Sequence, residues 1–419
     1  MMTVNNTREA GKMNVILLNH YAGNPEMGME FRPYYLAREW VKMGHHVRIV
    51  AGDFSHLRMI NPKVERDFSD ETKDGITNTW IKTGQYNGNG VKRAFSMFRF
   101  VGKLWVNARV LADKWKPDVI IASSTYPLDT YAAQRIKKYS GAKYIHEVHD
   151  MWPITLIEIG NMKKMHPFVI IMQRAENSFC RNSDLVVSLL CNAKSYFIKH
   201  GMSPNKFRNI MNGVSLEEWK NPEPLPEQIE KTIKELKEDN KFLICFFGSI
   251  TKSYAISYLI KAIQNMQDSR IALIVVGEGE QKEELMELAR RKMKDNFIFF
   301  PKIPKRSIPT LLKEMDCLYI AALHNAMFRF GIGMNKLFDS MMSGKPILYA
   351  VDAPNNFIEE YHCGISVKAE NKEELTAGLI KMLSLTEEER SQMGERGRRA
   401  VLEHFTYDKL AAQFAELFD

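Results

Sequence analysis

The run Asn221-Pro-Glu-Pro-Leu-Pro226 places three prolines in five residues. Neither a helix nor a central strand can pass through it. On either side of this break, short apolar runs alternate with helical stretches. Before it, a strand at 15–19, a helix at 30–43 and a strand at 47–51 make one β-α-β unit, with Gly44-His45 in the turn after the helix. A strand at 118–122, a helix at 128–139 and a strand at 143–147 repeat the rhythm, and strands at 184–189 and 207–211 extend it. After the break a charged helical stretch runs to Asn240. Strands then recur at 242–247, 271–276, 297–300, 317–321 and 346–350, with helices between them. Alternation of this kind builds a parallel sheet covered by helices on both faces. The predicted class is therefore α/β, with two Rossmann-like doubly wound lobes facing a central cleft. The boundaries are an N-terminal lobe at 1–220, a linker at 221–240, a C-terminal lobe at 241–400 and a final helical segment at 401–419. Ligands of such folds sit beyond the carboxyl ends of the strands, so the cleft is the expected site.

Composition narrows the class further. Of 419 residues, 45% are hydrophobic and 26% charged, which excludes disordered, collagenous and disulfide-stapled chains. No apolar run approaches the ~20 residues of a membrane-spanning helix. The first residues lack the apolar stretch of a signal peptide, and a cytoplasmic protein is expected. Five cysteines, odd in number and without a C-x-x-C pair, read as free thiols in a reducing compartment rather than as a zinc site. The net charge of +8 is unevenly spread. Residues 1–220 hold 31 Lys and Arg against 20 Asp and Glu, whereas the remainder holds 27 against 30. Only the first half has an excess with which to meet an anionic partner, unless the excess serves solubility alone.

The C-terminal half carries a glycine-rich loop that opens a helix, Gly331-Ile-Gly333-Met-Asn335-Lys336-Leu-Phe-Asp339, with Gly344-Lys-Pro346 closing it. Open amides and the helix dipole at such a point favour a phosphate, and Lys336 adds a charge. Asp339 lies one turn on, placed for sugar hydroxyls. Gly248-Ser249-Ile-Thr-Lys252 and Gly277-Glu-Gly279 each follow a strand and could meet the same diphosphate. A bare set of β-α turns and a helix cap is the competing reading, and three such loops in one lobe favour a nucleotide.

In the N-terminal half, His146-Glu147-Val-His149-Asp150-Met-Trp152-Pro153 follows a strand at its carboxyl edge. It reads either as chemistry at the strand end or as a packed histidine. Adjacent His-Asp pairs also serve metal phosphohydrolases, but the further ligands these need are not found, and no metal site is predicted. The stretch 91–116 has apolar residues at helical spacing and seven cations against one acid, Asp113. It fits a basic amphipathic helix on an anionic membrane surface, and equally a core helix with a solvated cationic face.

Taken in order, these motifs resemble the retaining GT-B glycosyltransferases of family four over nearly the whole chain after Met13. Asn212-Gly-Val214, Val276-Gly-Glu-Gly279, the helix from Lys336 to Pro346 and Phe405-Thr-Tyr-Asp408 carry the resemblance, together with Glu147-Val-His-Asp150-Met-Trp152-Pro153. The subgroup with that last pattern assembles bacterial surface polysaccharides from nucleotide-linked, often N-acetylated sugars. The resemblance implies that Asp339 holds the ribose. It implies that Gly248, Ser249, Lys252, Gly277, Gly333, Asn335 and Lys336 surround the diphosphate, and that Ile303 brackets the base. His149, with Asp150 next to it, would lie by the transferring sugar. Tyr21, Gly23, Gly28, Glu147 and Glu158 would line the acceptor side, and the final helix would cross back to the first lobe. Two departures stand out: the first acid of the family's paired-acid pattern falls at Gly331, and its usual Arg and Lys of the first glycine loop fall at Ser249 and Tyr254.

The expected function is transfer of a sugar from a nucleotide-diphosphate donor, UDP-linked, to a glycan or lipid-linked acceptor, with retention and with neither metal nor organic cofactor. A nucleotide-sugar epimerase of the same fold and a membrane-bound sugar-binding module without turnover are the alternatives. A nucleic-acid partner is not expected, because the basic and aromatic residues form no recognisable module.

Overall fold

Eight strands form the sheet of the first unit: β1 Asn14–Leu18, β2 His46–Gly52, β3 Ser69–Lys73, β4 Ile76–Ile81, β5 Val119–Ala122, β6 Lys143–Val148, β7 Leu185–Ser188 and β8 Phe207–Asn209. A computed structural model describes residues 11–28, 31–88 and 90–419 of the chain. The strand order is β3-β4-β2-β1-β5-β6-β7-β8, and every pairing is parallel except β3 with β4. The central strands β1 and β5 are apolar and buried nearly throughout, as strands covered on both faces must be. One face carries the helices Val91–Trp115, Asp129–Ser140 and Pro167–Asn182. The other carries Phe31–Lys42 and the terminal helix Tyr407–Ala415.

The terminal helix is held mainly by aromatic packing. Trp40 is fully buried between Phe414 and Phe418, and its indole N–H donates to the Ala411 carbonyl at 3.0 Å. Removing this ring leaves a cavity and takes away one hydrogen bond to the helix backbone. Trp40→Ala is expected to destabilise the first unit by about 3–5 kcal/mol, and urea unfolding followed by far-UV dichroism checks it.

The second unit has six parallel strands: β9 Phe242–Phe247, β10 Ile271–Val276, β11 Phe297–Phe300, β12 Cys317–Ala321, β13 Ile347–Ala350 and β14 Gly364–Val367. Their order is β11-β10-β9-β12-β13-β14. In both sheets the order reverses at one point, between β1 and β5 in the first and between β9 and β12 in the second. Crevices for ligands open at the carboxyl ends of such strand pairs.

The boundary between units differs from the expected one. The first unit ends at Met211 and takes up Tyr407–Asp419, and the second is Asn212–Thr406, so residues 212–240 belong with the second. The proline run explains this. Its backbone lies along the segment after β11: the Glu223 amide donates to the Arg306 carbonyl at 2.9 Å, and the Pro224 carbonyl accepts from Ser307 Oγ at 3.0 Å. Proline removes donors but leaves acceptors, so the segment can still dock as an extended edge. Ile229 and Ile233 then bury the helix Glu227–Glu238 against the same unit.

The sequence reading did not include the β3–β4 hairpin, β14 or the two long helices Lys372–Ser384 and Glu387–His404. Strand β3 reads Ser-Asp-Glu-Thr-Lys, which has no apolar alternation. Its charges suit an exposed sheet edge, where they discourage further pairing.

Candidate active site

In the first unit the site is built at the ends of β5 and β6. Alternation along β6 separates its two histidines. His146 turns inward, stacks on Phe179 with ring centroids 3.8 Å apart and meets the Tyr144 hydroxyl at 2.9 Å. Burial drops its pKa to about 3, so it is a neutral core residue. Glu147 and His149 point to the other side. Ser123 Oγ, just past β5, donates to Glu147 Oε2 at 2.6 Å and lies 2.8 Å from His149 Nε2, which is itself 3.1 Å from Glu147 Oε2.

Glu147 is fully buried. Burial pushes its carboxyl pKa up, but Arg32, His149 and Ser123 together outweigh that and hold it well below the usual carboxylate range. Arg32 donates from Nε to Glu147 Oε1 at 3.0 Å and from Nη2 to the Ile210 carbonyl at 3.1 Å, and its Nη1 bonds the Met211 carbonyl. An ionised Glu147 can only accept, so the proton of a neutral His149 ring sits on Nε2 and Nδ1 is left with the lone pair. The family resemblance implies that Glu147 is one of the acceptor contacts. The structure places it beneath His149, as the group that sets that ring's tautomer and angle.

Asp150 is exposed, but both its oxygens are engaged. Oδ1 accepts from the Met151 amide at 2.8 Å and the Thr155 hydroxyl at 2.9 Å, and Oδ2 accepts from Trp152 Nε1 at 3.0 Å. It organises the turn into the short helix Ile154–Glu158, at whose end Glu158 is exposed. Tyr21 is buried: its hydroxyl accepts from Arg93 Nε at 3.1 Å, and the Arg93 guanidinium lies 5.3 Å above its ring. Gly23 is also buried, whereas Gly28 adopts φ +71° against the Met59 side chain. Met29, which completes the expected glycine loop, and Glu30, the expected start of the following helix, lie outside the described residues.

Two groups absent from the sequence reading join this cluster. Asp129 Oδ2 accepts from the Ser124 amide at 2.9 Å while Oδ1 has no partner among the described residues, and burial raises its pKa to about 7. His20 Nδ1 bonds the Tyr126 hydroxyl at 2.8 Å, while Nε2 is buried without a partner among the described residues. Burial, with Arg58 and Arg93 nearby, keeps its pKa well below the ordinary value. Their sequence signal is slight: His20 lies two residues past β1, and Asp129 is the first residue of the helix Asp129–Ser140.

The site of the second unit gathers at the end of β9. Gly248 has φ +112°, and the next two glycines stand where nothing larger fits. A Cβ on Gly277 would lie 1.8 Å from the Gly248 carbonyl oxygen, and one on Gly279 would lie 2.1 Å from that of Ile250. The glycines therefore press two loops together, leaving Ser249 and Lys252 exposed on the rim.

Lys336 lies in the first turn of the helix Asn335–Met342. Its Nζ sits 3.4 Å from the Tyr254 ring centre and 4.3 Å from that of Phe246, and a Cβ on Gly248 would meet it at 3.2 Å. This amine is buried and, among the described residues, has no hydrogen-bond partner. Burial lowers its pKa to about 7. Tyr254, where the family usually has a lysine, instead forms the platform beneath this one. Asn335 is exposed at the helix start. Asn212 Nδ2 donates to the Gly333 carbonyl at 2.8 Å, and Asn355 both accepts from and donates to the Ile332 backbone. These bonds fix the loop that leads to Lys336.

Asp339 is buried and ion-paired with Lys305. Lys305 is two residues beyond the half-buried Ile303, so the pair ties the expected base-binding loop to the helix. Burial works against the Lys305 cation, yet Asp339 and Glu218 raise its pKa overall. Among the described residues no group of three or more His, Cys, Asp or Glu side chains is arranged to hold a metal ion.

Two parallel doubly wound units, with glycine loops at the end of β9 and a His-Glu pair at the end of β6, define a GT-B architecture. Comparison with known proteins agrees. Residues 27–218 match the Glycosyltransferase Family 4 model, and residues 227–400 match the model of glycosyl transferases group 1. The chain is 26% identical over 243 residues to the uncharacterised glycosyltransferase MJ1069 of Methanocaldococcus jannaschii, a match covering 57% of this chain and 59% of that protein. HepE of Anabaena, solved in complex with UDP and glucose, superposes with a TM-score of 0.66 at 16% identity over 97% of this chain and 99% of its own. WaaG, a glycosyltransferase involved in lipopolysaccharide biosynthesis, superposes with a TM-score of 0.64 at 17% identity over 96% and 99%. The chain belongs to the family-4-like GT-B glycosyltransferases.

Proposed function

We propose that this protein moves a sugar from a UDP-linked donor to a glycan or lipid-linked acceptor, with retention of anomeric configuration, in the assembly of a surface polysaccharide. The observation that carries the donor half is the Lys336 amine, buried without a partner beside the glycine loop after β9. An orphaned buried amine at a helix start is poised for an anion. In the reaction, the bond between the anomeric carbon and the diphosphate oxygen breaks, a bond to the acceptor oxygen forms, and the acceptor hydroxyl's proton passes to the departing diphosphate. Negative charge grows on the departing diphosphate. Lys336 and the loop amides meet that charge from fixed positions, which lowers the barrier without reorganisation. His149, locked by Glu147 and Ser123, presents its free nitrogen towards the transferring sugar. Release of Asp339 from Lys305 would free a carboxylate for the ribose hydroxyls, and Ile303 would border the base.

The amine's pKa supplies a test. A group near 7 in the free protein is charged below that pH and neutral above it, while a bound diphosphate favours the charged form. Affinity for UDP is therefore expected to fall as pH rises from 7 to 9, approaching tenfold per unit. Calorimetry across that range, with Lys336→Arg as a variant that stays charged, checks this. A flat profile for the parent protein would remove Lys336 from the diphosphate site. Mass spectrometry of products, with UDP sugars and lipid-linked acceptors supplied, then separates transfer from epimerisation and from binding alone.

A further inference from the structure

The helix Val91–Trp115 buries Met97, Phe100, Leu104, Ala108 and Leu111 against the sheet, which accounts for one side of it. A surface helix is normally polar on the opposite side. This one exposes Val91 (73%), Phe95 (60%), Val106 (71%) and Val110 (65%) along the other side, with Phe98 and Trp105 beside them. The apolar residues thus fall into two sets, one in the core and one facing outward. Among the described residues, the outward stripe is bordered by Lys92 and Arg109, which have no carboxylate partner, while Lys103 is paired with Asp67.

A second exposed patch lies on the same side of the sheet. Met165 is 80% exposed, with Ile159 nearby in sequence and Lys163 and Lys164 between them. Met165 directly precedes the helix Pro167–Asn182, whose Phe168 meets the Trp152 ring at 6.1 Å. That ring in turn lies 6.0 Å from the guanidinium of Arg93, in the first turn of the long helix. The two patches are therefore joined through Trp152, three residues beyond His149.

We propose that this surface docks the protein on an anionic lipid bilayer, the apolar stripe entering the interface and Lys92 and Arg109 meeting acidic headgroups. Aromatic and aliphatic side chains flanked by cations are the composition such a contact requires. The charge argues for lipid over a second copy of the chain, since a two-fold contact through this stripe would set its cations against each other. The inference rests on the transferase reading for its purpose: a lipid-linked acceptor would be presented beside His149. The contact itself is tested independently.

The experiment is flotation with vesicles of phosphatidylcholine alone and of phosphatidylcholine with one third phosphatidylglycerol. The parent protein is expected to float with the mixed vesicles and not with the neutral ones. Lys92→Glu with Arg109→Glu should weaken this at least about 25-fold, at about fivefold per cation. Phe95→Ser with Val106→Ser should also release the protein. These residues are exposed and outside the candidate site, so thermal stabilisation by UDP should be unchanged in both variants. Absence of flotation, equal flotation on neutral vesicles, or parent-like flotation of both variants overturns the proposal. So does a lipid-free dimer, seen by analytical ultracentrifugation, that Phe95→Ser with Val106→Ser dissociates. Flotation without any UDP stabilisation would instead count against the transferase reading and leave the membrane contact standing.

Discussion

Lys336→Met is expected to abolish measurable UDP binding and to lower kcat/KM for transfer by about 10²–10³-fold, while raising the melting temperature of the free protein. The two effects have opposite signs because they have one cause. The amine is buried against Tyr254 and Phe246 with nothing to accept its protons, which disfavours the folded state without ligand. Methionine has nearly the same shape and removes that penalty. It also removes the buried cation that lies beside Gly248, where a diphosphate would be met. Calorimetry with UDP and a thermal melt on the same preparation read both effects. Unchanged affinity would sink the assignment of the donor site, and a lowered melting temperature would mean that the amine has a partner in solution.

The second large effect concerns the pair beneath His149. Glu147→Gln leaves the Arg32 guanidinium buried without its counter-charge, a change that removes about 3–5 kcal/mol of stability. For a unit of this size that corresponds to a melting point lower by about 10 °C. The double change Arg32→Met with Glu147→Gln should recover most of the stability, because no charge is then left uncompensated. It should not recover transfer, since a glutamine amide at that position can donate as well as accept and so no longer fixes the tautomer of His149. Recovery of both would reduce the pair to a packing device. The pH dependence has a defined sign. The folded-state pKa of Glu147 is depressed, so its contribution is present above the unfolded pKa and is lost as pH falls through the folded one. Asp129, raised to about 7, acts in reverse: its burial weakens the fold increasingly as pH rises from the ordinary carboxylate range through 7.

Much of the architecture was legible because it depends on period and punctuation. Apolar runs of strand length, turns after helices and three prolines in five residues are local signals, and they placed nearly all the central strands within one or two residues. The glycines after β9 and β10 were legible for a similar reason. Backbones pressed together leave no room for a Cβ, so the constraint is written as residue type. The β3–β4 hairpin was not legible, because an exposed edge strand has no apolar face to declare itself.

The charged groups of the site are different. Arg32 and Glu147 are 115 positions apart, and their meeting depends on the register of β6 and the packing of the first helix. A lysine code is the same whether the amine is solvated, as at Lys252, or orphaned between two rings, as at Lys336. The same holds for Asp339, whose neighbour Lys305 only the folded second unit supplies. In the helix Val91–Trp115 the sequence determined an apolar and basic helix, but not which apolar residues would face the sheet. Burial is a property of the assembled unit, and through burial the tertiary structure decided which charges are poised for chemistry and which apolar residues remain outside.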